Sequence, residues 1–207
     1  MLGLLVKDLL YLKKQLKLIF LIIAFYAIIL AATGSGIEQF NAIFVTLIPM
    51  LPMIVITNSF AYDELSKWNA YSLSLPVTKK EIVLCKYLLT MILTFGTALI
   101  PFVATIVFGK LTEGSFAGIY AAFGVALILC AILIPLFYQF GTQKARIALI
   151  TIVMIPWLGA FLLKQARFSG PSNAQISFLL KISPIFLIIF FIGSYFLSCK
   201  ILRNKEI

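Results

Sequence analysis

Residues Tyr62–Tyr87 read YDELSKWNAYSLSLPVTKKEIVLCKY, the longest polar island in a chain that is otherwise almost continuously apolar. Asp63, Glu64, Lys67, Lys79, Lys80, Glu81 and Lys86 fall inside it, out of only 17 basic and 7 acidic residues in the whole sequence. The flanking segments, Asn41–Ala61 and Leu88–Phe108, are both long and apolar enough to carry a helix across a hydrocarbon layer, which takes about 20 residues. A polar segment held between two such spans is where a membrane protein can meet an aqueous partner. The reading of the rest of the chain follows from that placement.

Composition agrees. The chain has 207 residues, 62% of them hydrophobic and only 12% charged, against about 25% charged in soluble domains. The formal charge of +10 comes without a basic run that could track nucleic acid, so no nucleic-acid partner is expected; basic residues gathered on one side of a membrane explain the excess. There is no His, and Cys85, Cys130 and Cys199 lie far apart. That pattern offers neither a metal site nor a disulfide framework, and the cysteines read as small apolar side chains.

Working outward, Met1–Lys17 is amphipathic. Leu2, Leu5, Leu9, Leu12 and Leu16 recur at helical spacing, with Lys7, Lys13, Lys14 and Lys17 elsewhere on the wheel. This suits an interfacial helix resting on anionic membrane lipids. The apolar run behind it, ending in small residues, also resembles a secretory signal; the length of the basic stretch favours an uncleaved first span. Six transmembrane helices are expected, at residues 18–33, 41–61, 81–108, 116–140, 147–163 and 179–199, with a central loop at 62–80 and a polar link at Gly141–Arg146. Pro49, Pro52 and Pro101 interrupt the second and third spans and are expected to kink them. With both termini cytoplasmic, 13 basic residues fall inside and 4 outside, which sets the orientation.

Within the central loop, the wheel from Tyr62 aligns Leu65, Trp68 and Ser72, with Asp63 and Lys67 an i,i+4 pair on the other side. Trp68 and Tyr71 suit a membrane interface or a protein contact. Pro76 stops this short helix. Thr78 and Glu81, in Thr-Lys-Lys-Glu, form a capping box that restarts the chain into the third span. A plain solvated connector is the alternative, but a connector needs only a few residues.

No phosphate-binding Gly-x-x-x-x-Gly-Lys-Ser/Thr loop occurs, and without His or paired carboxylates no catalytic constellation is available. No ionisable residue is expected at mid-membrane depth, where ion-coupled carriers keep one. These absences argue for energy from outside the chain. An ion-coupled carrier and a non-transporting scaffold or immunity-type protein stay open as alternatives.

The acidic pair Asp63-Glu64, the run Leu73-Ser74-Leu75-Pro76-Val77-Thr78-Lys79-Lys80, and then Ile82-Val83 and Lys86-Tyr87 resemble the signature of type-2 ABC export permeases. Where that family commonly has Gly after the acidic pair, this chain has Ser66-Lys67-Trp68. The resemblance implies an all-α integral membrane protein, one transmembrane domain over residues 1–207, in a bacterial cytoplasmic membrane. It implies that Tyr62–Leu75 is a coupling helix docking on an ABC ATPase subunit, present in two copies, through Asp63, Glu64, Leu65, Lys67, Trp68, Tyr71 and Leu75. ATP and Mg would sit on that partner and no cofactor on this chain. A second permease, identical or paralogous, would complete the path. Chains this compact are most similar to exporters of amphipathic peptides, including phenol-soluble modulins and bacteriocin-like antimicrobial peptides, or of lipid-like cargo.

Overall fold

The computed structural model describes residues 37–68, 71, 78–107, 113–165 and 173–204, together with residues 3, 6–8, 10, 17, 21 and 25. From Ile37 onward the described residues form four long helices: α1 (Ile37–Leu65), α2 (Lys79–Val107), α3 (Glu113–Gln165) and α4 (Asn173–Asn204). Each contains a segment long and apolar enough to cross a membrane, namely Val45–Leu65, Lys79–Ile106, Gly114–Ile152 and Ile182–Asn204. The described residues are almost wholly helical, and these helices are those of a multi-pass membrane protein.

α2 and α3 form the middle of the bundle. Both pack against α1 on one side and α4 on the other, and among the described residues the backbones of α1 and α4 do not come close. Small residues let the backbones approach, because hydrocarbon offers no hydrophobic drive between helices and close contact must supply it. On α3, Ala122, Ala126 and Cys130 recur every fourth residue and are buried. Gly124 lets α4 come so near that a Cβ there would stand 3.3 Å from a methyl group of Leu187. The outer face of α2 is the reverse: Leu88, Ile92, Phe95, Leu99, Val103 and Ile106 are all exposed at spacings of three and four. That stripe is what a helix turns toward lipid.

Buried hydroxyls stitch the middle to α4. The Ser194 Oγ donates to the carbonyl of Ala131 on α3, and it lies 2.6 Å from the Tyr87 hydroxyl. Ser198 Oγ lies 2.9 Å from the same hydroxyl. Each hydroxyl has one proton, so Ser198 donates to Tyr87, Tyr87 to Ser194, and Ser194 to the backbone. The Tyr87 ring meanwhile lies edge-on to Phe191 and Tyr195, with centroids 5.0 and 5.6 Å away.

Two differences from the expected helix limits bear on the site. The second span does not end at Ala61. Nothing between Ala61 and Leu65 resists the α conformation, so Asp63, Glu64 and Leu65 occupy the last turn of α1 and not a separate helix. The break comes at Lys67, whose φ is 50°. The second difference is the expected link at 141–146, which is helical except at Gly141 (φ 77°, ψ 176°). A single glycine divides α3 into two limbs, on which the expected spans at 116–140 and 147–163 fall. Pro49, Pro52 and Pro101 all sit inside continuous helices. The expected first span at 18–33 lies outside the described residues but for Leu21 and Phe25, as does most of the expected interfacial helix.

Candidate functional site

The charged residues of the polar island converge at one end of the bundle. Ser59 and Asp63, four residues apart on α1, share a face, and both meet Lys86 of α2. The Lys86 Nζ donates to Ser59 Oγ at 2.6 Å and lies 2.6 Å from Asp63 Oδ2. Its other partner is the Asp8 carboxylate, with oxygens at 3.0 and 3.2 Å. Lys7 then reaches Asp63 Oδ1 at 2.6 Å and stands 3.4 Å from Asp8. Two ammonium groups thus face two carboxylates, with Lys86, Asp8 and Asp63 side chains only 5%, 3% and 10% exposed. Charges can be held this far from water only when paired and hydrogen-bonded. The ring of Phe60 lies below Lys86, its centroid 5.3 Å from Nζ.

Glu64, the next residue, points about 100° further round the helix and meets a different element. Its Oε2 accepts the backbone N–H of Thr142 at 3.0 Å and the Thr142 hydroxyl as well. Thr142 opens the second limb of α3, where the Gly141 break leaves the first N–H groups without intrahelical acceptors. The Glu64 carboxylate therefore caps that limb from another helix, in the position where negative charge is favoured by the helix dipole. Gly141 permits this approach: the backbone turns through a φ of 77° directly against the carboxylate.

Beyond the Lys67 turn, Trp68 is half buried, with the Lys7 ammonium 3.9 Å from its ring centroid. Tyr71 packs 5.7 Å from Trp68. Leu65 is 81% exposed and Tyr71 60%, and Lys67 is exposed too. These three are exposed at and beyond the end of α1. Leu75 lies outside the described residues. The expected Asp63–Lys67 pair gives way to the Lys7 and Lys86 contacts. Thr78 and Glu81 form the capping box: Thr78 N–H donates to Glu81 Oε2 at 2.8 Å, and Glu81 N–H to Thr78 Oγ1 at 3.3 Å.

Lys7, Asp8, Ser59, Lys86, Gly141 and Thr142 belong to this cluster although sequence reasoning assigned none of them to the coupling site. Two signals pointed to them: Asp8 is the one acid among the basic residues of the first seventeen, and Lys86 belongs to the Lys-Tyr pair opening a span. At the other end of the molecule, Phe95, Phe102, Phe116 and Phe123, with Ile119 and Tyr120, line an apolar cleft of about 260 Å³ between α2 and α3.

This arrangement holds no catalytic grouping among the described residues. At this joint one turn of α1 is bonded to Lys7 and Lys86 through Asp63 and to the second limb of α3 through Glu64. A family model described as ABC-2 family transporter protein matches residues 3–203. Neither the curated proteins nor the solved structures contain a match.

Proposed function

The chain belongs to the ABC-2 family of transporter proteins and is a membrane permease of an ABC transporter, and from that premise we propose that it is an exporter subunit driven by a separate ATPase. The observation that carries this reading is the Glu64–Thr142 bridge beside the Asp63–Lys86 pair. A push on the segment after Leu65 cannot move the end of α1 alone. It must also move α2, through Lys86, and the second limb of α3, through its cap. Adjacent carboxylates on one helical turn divide a single input between two helices.

In this reading the joint faces the cytoplasm, in a bacterial plasma membrane, and the chain crosses six times. Exposed Leu65, Lys67 and Tyr71, with Trp68 behind them and Leu75 further on, offer the docking surface for the ATPase. ATP and Mg are bound by that partner, two copies serving a pair of permeases. The aromatic cleft at the far end suits a cargo with an apolar face, an amphipathic peptide or a lipid-like molecule.

The test pairs Glu64→Ala and Trp68→Ala with the wild type, each assembled with the ATPase recovered from native cells. Hydrolysis should persist while export falls about tenfold or more, a loss of roughly 1.4 kcal/mol of coupling or greater. A scramble of Tyr62–Leu75 should recover no ATPase at all. Wild-type export in both point variants sinks the coupling assignment, and recovery of the ATPase by the scramble sinks the docking assignment.

A further inference from the structure

A second polar site lies at the same end, between α2 and α4, apart from the joint. Thr78, Lys79, Lys80, Cys199, Lys200 and Arg203 line a pocket of about 740 Å³. Four cations and, among the described residues, no carboxylate face it: the nearby acid, Glu81, is turned to the Thr78 amide. The Lys79 Nζ donates to the Leu202 carbonyl at 3.2 Å, closing the floor, whereas Lys80, Lys200 and Arg203 are exposed. Three exposed cations, Lys80, Lys200 and Arg203, gathered on one pocket suit an anion.

The surroundings identify its kind. Side chains four and eight residues apart share a helix face. Below Lys80 along α2 that face carries Leu84 and then Leu88, the latter 40% exposed; below Lys200 along α4 stand Phe196 and Leu197, 66% and 52% exposed. On both helices a cation thus stands directly above apolar side chains that look outward from the bundle. A soluble acidic protein could cover the cations but would leave that apolar continuation in hydrocarbon. A molecule with an anionic head and acyl chains meets both, and basic pockets between membrane helices are suited to such headgroups. We propose that this pocket is a site for an anionic phospholipid of the adjoining leaflet, its phosphate held by Lys80, Lys200 and Arg203 and its chains lying along Leu88 and Phe196–Leu197. The proposal stands on the membrane placement of α2 and α4 and is independent of the coupling assignment.

Native mass spectrometry of the purified chain, in micelles containing equal phosphatidylglycerol and phosphatidylcholine, reads retention directly. Each cation near an anionic headgroup contributes about a fivefold preference. The wild type should keep phosphatidylglycerol in large excess, and a Lys80→Gln, Lys200→Gln, Arg203→Gln variant should fall to parity. Lys144→Gln with Arg146→Gln, exposed cations elsewhere on the chain, should leave the preference intact. Unchanged preference in the triple variant, or equal loss in the control, overturns the site. So does displacement of the lipid by millimolar glycerol 3-phosphate, which would make it a site for free phosphate. So does loss of ATPase recovery with lipid retention unchanged, which would assign the pocket to protein docking.

A readout on the unsubstituted protein covers the case in which the triple variant does not fold. Cys199 lines the pocket and is partly exposed, while Cys85 and Cys130 are buried. Maleimide labelling of Cys199 should be several-fold slower in phosphatidylglycerol vesicles than in phosphatidylcholine vesicles. Equal rates overturn the proposal.

Discussion

Substitution of Gly141 by alanine tests the joint at its narrowest point. At φ 77° and ψ 176° the residue occupies a region that is essentially glycine's alone. Holding an alanine there costs about 1–3 kcal/mol. The side chain itself has room, since its Cβ would stand 3.7 and 4.0 Å from the two Glu64 oxygens, which is ordinary contact. The penalty is therefore one of backbone conformation. Should the backbone relax toward a straight helix, the strain is relieved but the Thr142 N–H leaves Glu64, and a hydrogen bond to a charged acceptor is worth about 1.5–3 kcal/mol. Either route loses at least about 1 kcal/mol. On the scaling of about 2–4 °C per kcal/mol for a chain of this size, melting should fall by roughly 2–12 °C. A thiol-reactive dye reads it without an added label, because Cys85 and Cys130 are 4% and 0% exposed and become reactive only on unfolding. The reference is Gly96→Ala, in mid-helix with nothing within 4 Å of its Cβ, which should melt at or slightly above the wild type. If Gly141→Ala melts within a degree of both, the break in α3 is not a required conformation and the capping argument fails.

Two further predictions address the rest of the joint. Asp63→Asn should be among the most destabilising single changes in the protein, by about 3–5 kcal/mol, because it leaves Lys86 buried with one carboxylate for two ammonium groups; a fall in melting temperature no larger than that of an exposed substitution such as Lys67→Gln would show the charges are better solvated than their burial implies. Tyr87→Phe removes the middle hydroxyl from the Ser198–Tyr87–Ser194 chain and should lower stability by only about 0.6–1.7 kcal/mol, the range for hydrogen bonds between membrane helices; denaturation in mixed detergent measures it, and a change of zero would mean the two serines find each other without it.

Much of the fold could be read from residues alone, for a physical reason. Hydrocarbon demands long apolar helices, so Asn41–Ala61, the stretch after Glu81 and the run before Cys199 announce themselves, and the Thr78–Glu81 box is a local device with a local signature. The site was harder because its contacts are not local. Nothing in the order Asp63-Glu64 says that the two carboxylates part company, one going to Lys7 and Lys86 and the other to Thr142. The wheel suggested Asp63–Lys67, but Lys67 leaves the helix at φ 50°, and two ammonium groups from elsewhere lie closer. Gly141 looked like part of an open polar link, since a left-handed φ at one residue leaves the same composition as a loop of six.

The grip on Lys7 and Asp8 also bears on how the chain is made. Asp63 is 56 residues downstream of Lys7, and Lys86 is 78 downstream of Asp8. At a ribosomal pace of about 5–20 residues per second, Lys7 and Asp8 wait on the order of several seconds for these partners. During that interval Lys7 and Asp8 have each other as neighbours, a self-neutralising dipeptide that can stay at the water interface. The four-charge cluster closes only when α2 arrives, so Lys7 and Asp8 are made well before the partners that bury them.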